Sequence, residues 1–158
     1  MITPDVYVSP IGNKIVNLQN PLEKMNKSDS GDNKGTIFLM DDLAVTRKKI
    51  MSAKTDNLNQ VKFDEENQPG ISNLISILAK ITDKDISSIE KRFANKGYGE
   101  FKKEVADKVC EPLAKIQSNF AKYNNKELLD QFVKIGADKA RVTARETLTR
   151  TTKALGLN

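Results

Sequence analysis

Two lysines three residues apart, Lys24 and Lys27, stand in the segment Lys24-Met25-Asn26-Lys27-Ser28, which continues as Asp29-Ser30-Gly31-Asp32-Asn33-Lys34-Gly35. From Asn26 to Gly35 no side chain is apolar, so nothing there pins the chain to a core. Lysine presents a compact point charge on a flexible stem. Two such charges on a polar loop suit a polyphosphate, because a closing loop can deliver them as negative charge builds in a transition state. Ser28 adds a hydroxyl donor. The competing reading is a solvated surface loop, since this spacing also arises by chance in a chain with 26 Lys and Arg.

Other chemistries are excluded or disfavoured. There is no histidine, and Cys110 is the one cysteine. That removes Ser-His and Cys-His nucleophilic chemistry and an internal disulfide framework, and it argues against a zinc site. Cys110 sits among Val105, Ala106, Val109 and Leu113, which marks it as a buried thiol. The net charge of +5 and pI of about 9.2 favour polyanionic partners, although bland proteins share such values. No run of 18 apolar residues is present, and Thr3-Pro4-Asp5 interrupts any signal-peptide pattern, so a cytoplasmic location and no membrane partner are expected. A length of 158 residues fits one compact domain or two small ones. An apolar share of 38% against 30% charged fits a helical protein with much surface, or a piece whose core is completed elsewhere.

The elements that must hold the lysine loop are mainly helical. Residues 1–40 read as irregular or extended, broken by Pro4, Pro10 and Pro21, with Ile15–Leu18 as a short strand. A first helix follows Asp41 and Asp42, with Arg47, Lys48 and Lys49 further along it, an order that complements the helix dipole. Ile71, Leu74, Ile75, Leu78 and Ile81 predict a second helix over 70–81, with Pro69 at its first turn. A third is predicted from the capping box Ser87-Ser88-Ile89-Glu90 and the edge Ile86, Ile89, Phe93. Gly97-Tyr98-Gly99 reads as a turn. The fourth helix is predicted over 100–122, kinked or split near Cys110 by Pro112. Asn124 and Asn125 break the chain before a fifth, alanine-rich helix over 126–155. The fold class is mainly α: a bundle of about five helices preceded by an extended segment.

Two basic clusters accompany this frame. Arg47, Lys48, Lys49 and Lys54 fall on or beside the first helix. Lys134, Arg141, Arg145 and Thr149 fall on one side of the last, at spacings of seven, four and four. Such stripes can track a phosphate backbone. They are equally the solvated faces of ordinary helices, with Asp138 and Glu146 as acidic partners.

Taken in order, Gly12-Asn13-Lys14-Ile15-Val16-Asn17-Leu18, Pro21, the lysine loop, Ile37-Phe38-Leu39, Arg47-Lys48-Lys49-Ile50, Ala53-Lys54-Thr55-Asp56, Phe63-Asp64, Pro69-Gly70-Ile71-Ser72-Asn73-Leu74-Ile75, Gly97-Tyr98-Gly99-Glu100-Phe101-Lys102 and Gly136-Ala137-Asp138-Lys139-Ala140-Arg141 form a pattern. It resembles the C-terminal half of the bacterial-type tryptophanyl-tRNA synthetases, a class I family, from about Val6 to the end. Lys24, Met25, Lys27 and Ser28 agree with that family's ATP loop, and Asn26 stands where a serine is usual. The resemblance implies ATP, Mg-bound, as substrate. It would be held by the backbone at Ile15 and by Lys24, Met25, Asn26, Lys27 and Ser28, with Lys24 and Lys27 catalytic and no protein-bound metal. It implies an irregular or extended remnant of a Rossmann-type catalytic domain over 1–40, a helical anticodon-binding domain over 41–123, and a long helix over 124–158 that returns toward the catalytic core. The implied partners are the tRNA for tryptophan, tryptophan and ATP, in a homodimer. Arg47, Lys48, Lys49, Lys54, Arg141 and Arg145 become tRNA-contact candidates.

The family's histidine-rich ATP motif and amino-acid pocket are absent, so the chain looks like a fragment that is inactive by itself. Three other readings stay open: a free-standing helical RNA-binding module, a structural interaction bundle, and the related tyrosine enzymes. The Pro69–Leu74 stretch and the ending after the last helix favour tryptophan over tyrosine.

Overall fold

A computed structural model describes residues 3–9, 12–29 and 33–157. Pro10 and the loop residues Ser30, Gly31 and Asp32 lie outside these. Five α-helices follow in order: α1 Leu43–Met51, α2 Pro69–Thr82, α3 Ile86–Phe93, α4 Tyr98–Tyr123 and α5 Lys126–Ala154. The chain divides into two compact units, Met1–Gln117 and Ser118–Asn158. Among the described residues the strand read at Ile15–Leu18 is reduced to one antiparallel bridge, between Val16 and Lys24.

The first unit is built around α2. Its apolar stripe is so broad that Ile71, Leu74, Ile75, Leu78 and Ala79 are all buried. They share one buried cluster with Ile50 of α1, Ile89 and Phe93 of α3, and Phe101, Val105, Ala106, Val109 and Leu113 of α4. Each large side chain buried this way contributes about 1.5–3 kcal/mol. Phe93 and Phe101 meet edge to face, 5.0 Å between ring centres. Pro69 occupies the first turn of α2, where a missing N–H costs nothing.

Local signals set the other helix ends. Asp42 caps α1, its carboxylate accepting from the Ala44 N–H at 2.7 Å. The expected box at Ser87–Glu90 does not form. Asp85 caps α3 instead, accepting from the Ser88 N–H and from both the Ser87 and Ser88 hydroxyls. Those hydroxyls hold the Asp85 carboxyl well below the usual carboxylate range. An ionised acceptor two residues earlier outcompetes the serine, and Glu90 is used elsewhere, accepting the Phe63 N–H at 2.7 Å. α4 starts at Tyr98, inside the expected turn, with the Tyr98 N–H donating to Asn59. Pro112 does not split α4. Val109, Cys110 and Leu113 are buried on either side of it, and their packing outweighs the ~3 kcal/mol that an interior proline costs.

The second unit is dominated by α5. Asn125 caps it, accepting from the Leu128 N–H. Gly156, at φ +68°, closes it with bonds from the Gly156 N–H to Lys153 and from the Leu157 N–H to Thr152. None of its described residues is buried, and Leu129, Phe132, Val133 and Leu148 stand exposed.

Candidate functional site

The lysine loop hangs from the four residues Ile15–Leu18. At its start, the Met25 N–H donates to the Ile15 carbonyl at 3.0 Å, and the Asn17 N–H donates to Glu23 at 2.8 Å. At its end, Gly35 accepts from the Leu18 N–H at 2.9 Å. Both stems of the loop therefore meet on one short segment. That segment is fixed to α2 and to the chain that follows α1 by two contacts: Asn73 of α2 exchanges hydrogen bonds with the Val16 N–H and carbonyl at 2.9 and 3.0 Å, and the Lys54 N–H donates to Leu18 at 2.7 Å.

Side chains complete the frame. Met25 is half-buried against the core and anchors the loop's first turn. Asp29 accepts from the Thr36 hydroxyl at 2.6 Å and from Asn33 at 3.0 Å. Gly35 lies against the Asn17 amide so closely that a Cβ there would sit 1.9 Å from its oxygen. Lys24, Asn26, Lys27 and Ser28 are exposed. Among the described residues neither Lys24 nor Lys27 enters an ion pair. Two mobile-stemmed ammonium groups are thus presented to solvent from a fixed backbone, an arrangement able to meet an anionic ligand.

The six other candidates separate into two kinds. Lys49 is buried rather than presented: its ammonium bonds the Asp41 carboxylate at 2.7 Å and the Thr36 carbonyl at 2.9 Å, and lies 4.8 Å from the centre of the Phe38 ring. Arg47 pairs with Asp107 of α4. Arg141 pairs with Asp138 one turn earlier at 2.8 Å. Lys48, Lys54 and Arg145 are exposed and make no ion pair among the described residues. The Lys54 backbone is held by Leu18 and by close approach of Gly70, whose Cβ would meet the Lys54 carbonyl at 2.1 Å. Lys102 braces the same turn, donating to Ala53 at 2.7 Å and to Thr55; burial pulls its pKa down.

A buried polar knot supports the start of α2. Gln68 donates to Asp56, to the Gln60 carbonyl and to the Tyr98 hydroxyl, while that hydroxyl donates to Asp56 at 2.5 Å. Burial, then the bond to Asp56, pushes the Tyr98 phenol up to about 12. Burial opposes ionisation of Asp56, but the Tyr98 hydroxyl, the Leu58 N–H and Gln68 outweigh it and hold the carboxyl below its ordinary value. Among the described residues no group of three or more His, Cys, Asp or Glu could hold a metal ion. No described helix is long and apolar enough to cross a membrane.

The model of the family "tRNA synthetases class I (W and Y)" matches residues 3–114, which take in the loop, its stems and most of the first unit. The chain belongs to this family. A tryptophan–tRNA ligase of Malacoplasma penetrans is 46% identical over 154 residues, and one of Oceanobacillus iheyensis is 41% identical. Each match takes in 98% of this chain but only 46% and 47% of the relative. The chain therefore spans about half the length of the curated relatives it matches. Among solved structures, a tryptophanyl-tRNA synthetase of Mycoplasma pneumoniae matches 95% of this chain with a TM-score of 0.80 and 30% identity, over 47% of that protein. A mainly helical half-synthetase is the fold expected from the sequence.

Sequence reasoning missed the stem residues Asn17, Gly35, Asn73 and Asp29. Only Asn73 left a local signal, as the one amide in the otherwise apolar and serine-bearing stretch Ile71–Ala79.

Proposed function

We propose that this chain is part of a tryptophan–tRNA ligase, contributing the ATP loop and the helical tRNA-binding region. The observation that carries this is the likeness to tryptophan–tRNA ligases over 98% of the chain, at 46% and 41% identity. In this reading residues 1–40 complete the catalytic domain, 41–123 bind the anticodon arm, and 124–158 return toward the catalytic core. ATP enters as its magnesium complex, with its adenine against the backbone near Ile15. Lys24 and Lys27 meet the β- and γ-phosphates as charge builds on the departing pyrophosphate, and Ser28 donates to it. Met25, packed on the core, keeps the two lysines from moving independently of the stem. Lys48, Lys54 and Arg145 are the tRNA-phosphate candidates with free ammonium or guanidinium groups, and Arg47 and Arg141 join them only by leaving an acidic partner. The ligase works in the cytoplasm as a homodimer, and activation of tryptophan needs residues outside the matched half.

Pyrophosphate exchange in the ligase that carries this sequence tests the loop. Lys27→Ala should lower the tryptophan-dependent rate roughly 10²–10³-fold, as the loss of one preorganised charge donor does, about 2.7–4 kcal/mol. An unchanged rate removes Lys27 from the reaction.

A further inference from the structure

We propose that Asn73 is a positioning residue for the lysine loop: its side-chain amide on α2 fixes, through Val16, where Lys24 leaves the stem. This deepens the phosphate-gripping reading of the loop and rests on it for the ligand, though not for the clamp itself. Asn73 is buried on α2, between the buried Ser72 and Leu74 and one turn before Ser76. Its Oδ1 accepts the Val16 N–H and its Nδ2 donates to the Val16 carbonyl. One side chain thus reproduces the paired N–H and C=O bonds that a neighbouring antiparallel strand would supply. Along an extended backbone successive N–H and C=O groups point to opposite edges. With Val16 turned toward α2, Ile15 and Asn17 are turned the other way, and there they bond Met25 and Glu23 on either side of Lys24. Lys24 itself bridges Val16. The path from the helix to the first loop lysine is one side chain and one residue pair. Apolar packing could hold α2 without an amide, but it could not fix the register of an isolated bridge that belongs to no larger sheet.

Amide hydrogen exchange on the 158-residue chain carrying Asn73→Ala or the near-isosteric Asn73→Leu tests this. Leu keeps the volume on α2 and removes only the two bonds. The Asn17 and Met25 amides should exchange at least about tenfold faster in both variants, because their bonds to Glu23 and Ile15 open more readily once Val16 is released from α2. Val105 and Val109 on α4 should keep their rates, which a general loss of stability would not permit. Inorganic tripolyphosphate should bind the variants severalfold more weakly than the parent. Unchanged exchange at Asn17 and Met25 overturns the clamp. Faster exchange with tripolyphosphate affinity equal to the parent's also overturns it, because the loop is then not placed by Asn73. If the parent binds no tripolyphosphate while the stem loosens in both variants, the clamp stands and the phosphate reading of the loop falls.

Discussion

Replacing Gly35 by alanine tests whether the loop stem is as tightly built as its distances say. The added Cβ would lie 1.9 Å from the Asn17 Oδ1 and 2.3 Å from its Cγ, against the 3.5–4.0 Å of a comfortable carbon contact. Gly35 is not at positive φ, so the cost is steric and not conformational. Either Asn17 or the Gly35 backbone must give way. If Asn17 moves, its Oδ1 leaves the Gln19 and Asn20 N–H groups, now 2.8 and 3.0 Å away. If Gly35 moves, its carbonyl leaves the Leu18 N–H. One to two part-buried hydrogen bonds at ~1–2 kcal/mol each give about 1–4 kcal/mol, the upper half of that range if Asn17 is the one to move. Urea unfolding followed by far-UV circular dichroism measures it. In an Asn17→Ala background the obstruction is gone, and Gly35→Ala should then cost less than ~1 kcal/mol, a coupling of about 1–3 kcal/mol. Equal costs in the two backgrounds would show that the two residues do not compete for the same space, and the picture of the stem would be wrong.

Further outcomes follow from the interior and from α5. Lys49→Met should destabilise the chain by about 3–5 kcal/mol in thermal or urea unfolding, because it leaves the Asp41 carboxylate buried beside a vacant partner; the double variant with Asp41→Asn should recover part of that loss. Tyr98→Phe should cost about 1.5 kcal/mol near neutrality, and the gap to the parent should depend on pH at both ends. The phenol's folded value of about 12 lies above its ordinary 10.0, so its contribution is complete below pH 10 and is lost as pH rises toward 12. The Asp56 carboxyl is held below its ordinary 3.8, so its share is present above that value and lost as acid takes the pH through the folded one. A gap that stays constant from pH 3 to 12 would refute the pairing. The exposed Leu129, Phe132, Val133 and Leu148 on α5 should make sedimentation of the chain concentration-dependent, and a strict monomer at high concentration would count against that surface being adhesive.

The helices were legible because their signals are local. A stripe at three- and four-residue spacing, Pro69 at a first turn and Asp42 ahead of Leu43 each act within a few residues. The cap of α3 was misread within the same small window: a serine box was expected where the preceding aspartate had the stronger acceptor. The lysine loop was legible from composition, since an apolar-free segment with two ammonium groups has little else to do than face solvent. What the sequence could not display are partners distant along the chain. Lys49 reads as one more cation in Arg47-Lys48-Lys49, and only the fold brings Asp41 and the Thr36 carbonyl around it. Arg47 meets Asp107 sixty residues away. The Asn73–Val16 clamp and the Gly35–Asn17 contact are likewise invisible to any local pattern, although they decide where the loop begins and ends.

The meeting of both loop stems on Ile15–Leu18 makes the intervening stretch a cassette. Its two mouths are set by bonds that do not involve its tip, so its length and charge can be altered without rebuilding any helix. Closing a flexible insert twice as long adds only about 0.6 kcal/mol. Natural drift or deliberate grafting can therefore retune the spacing of the two amines while the scaffold beneath stays as it is.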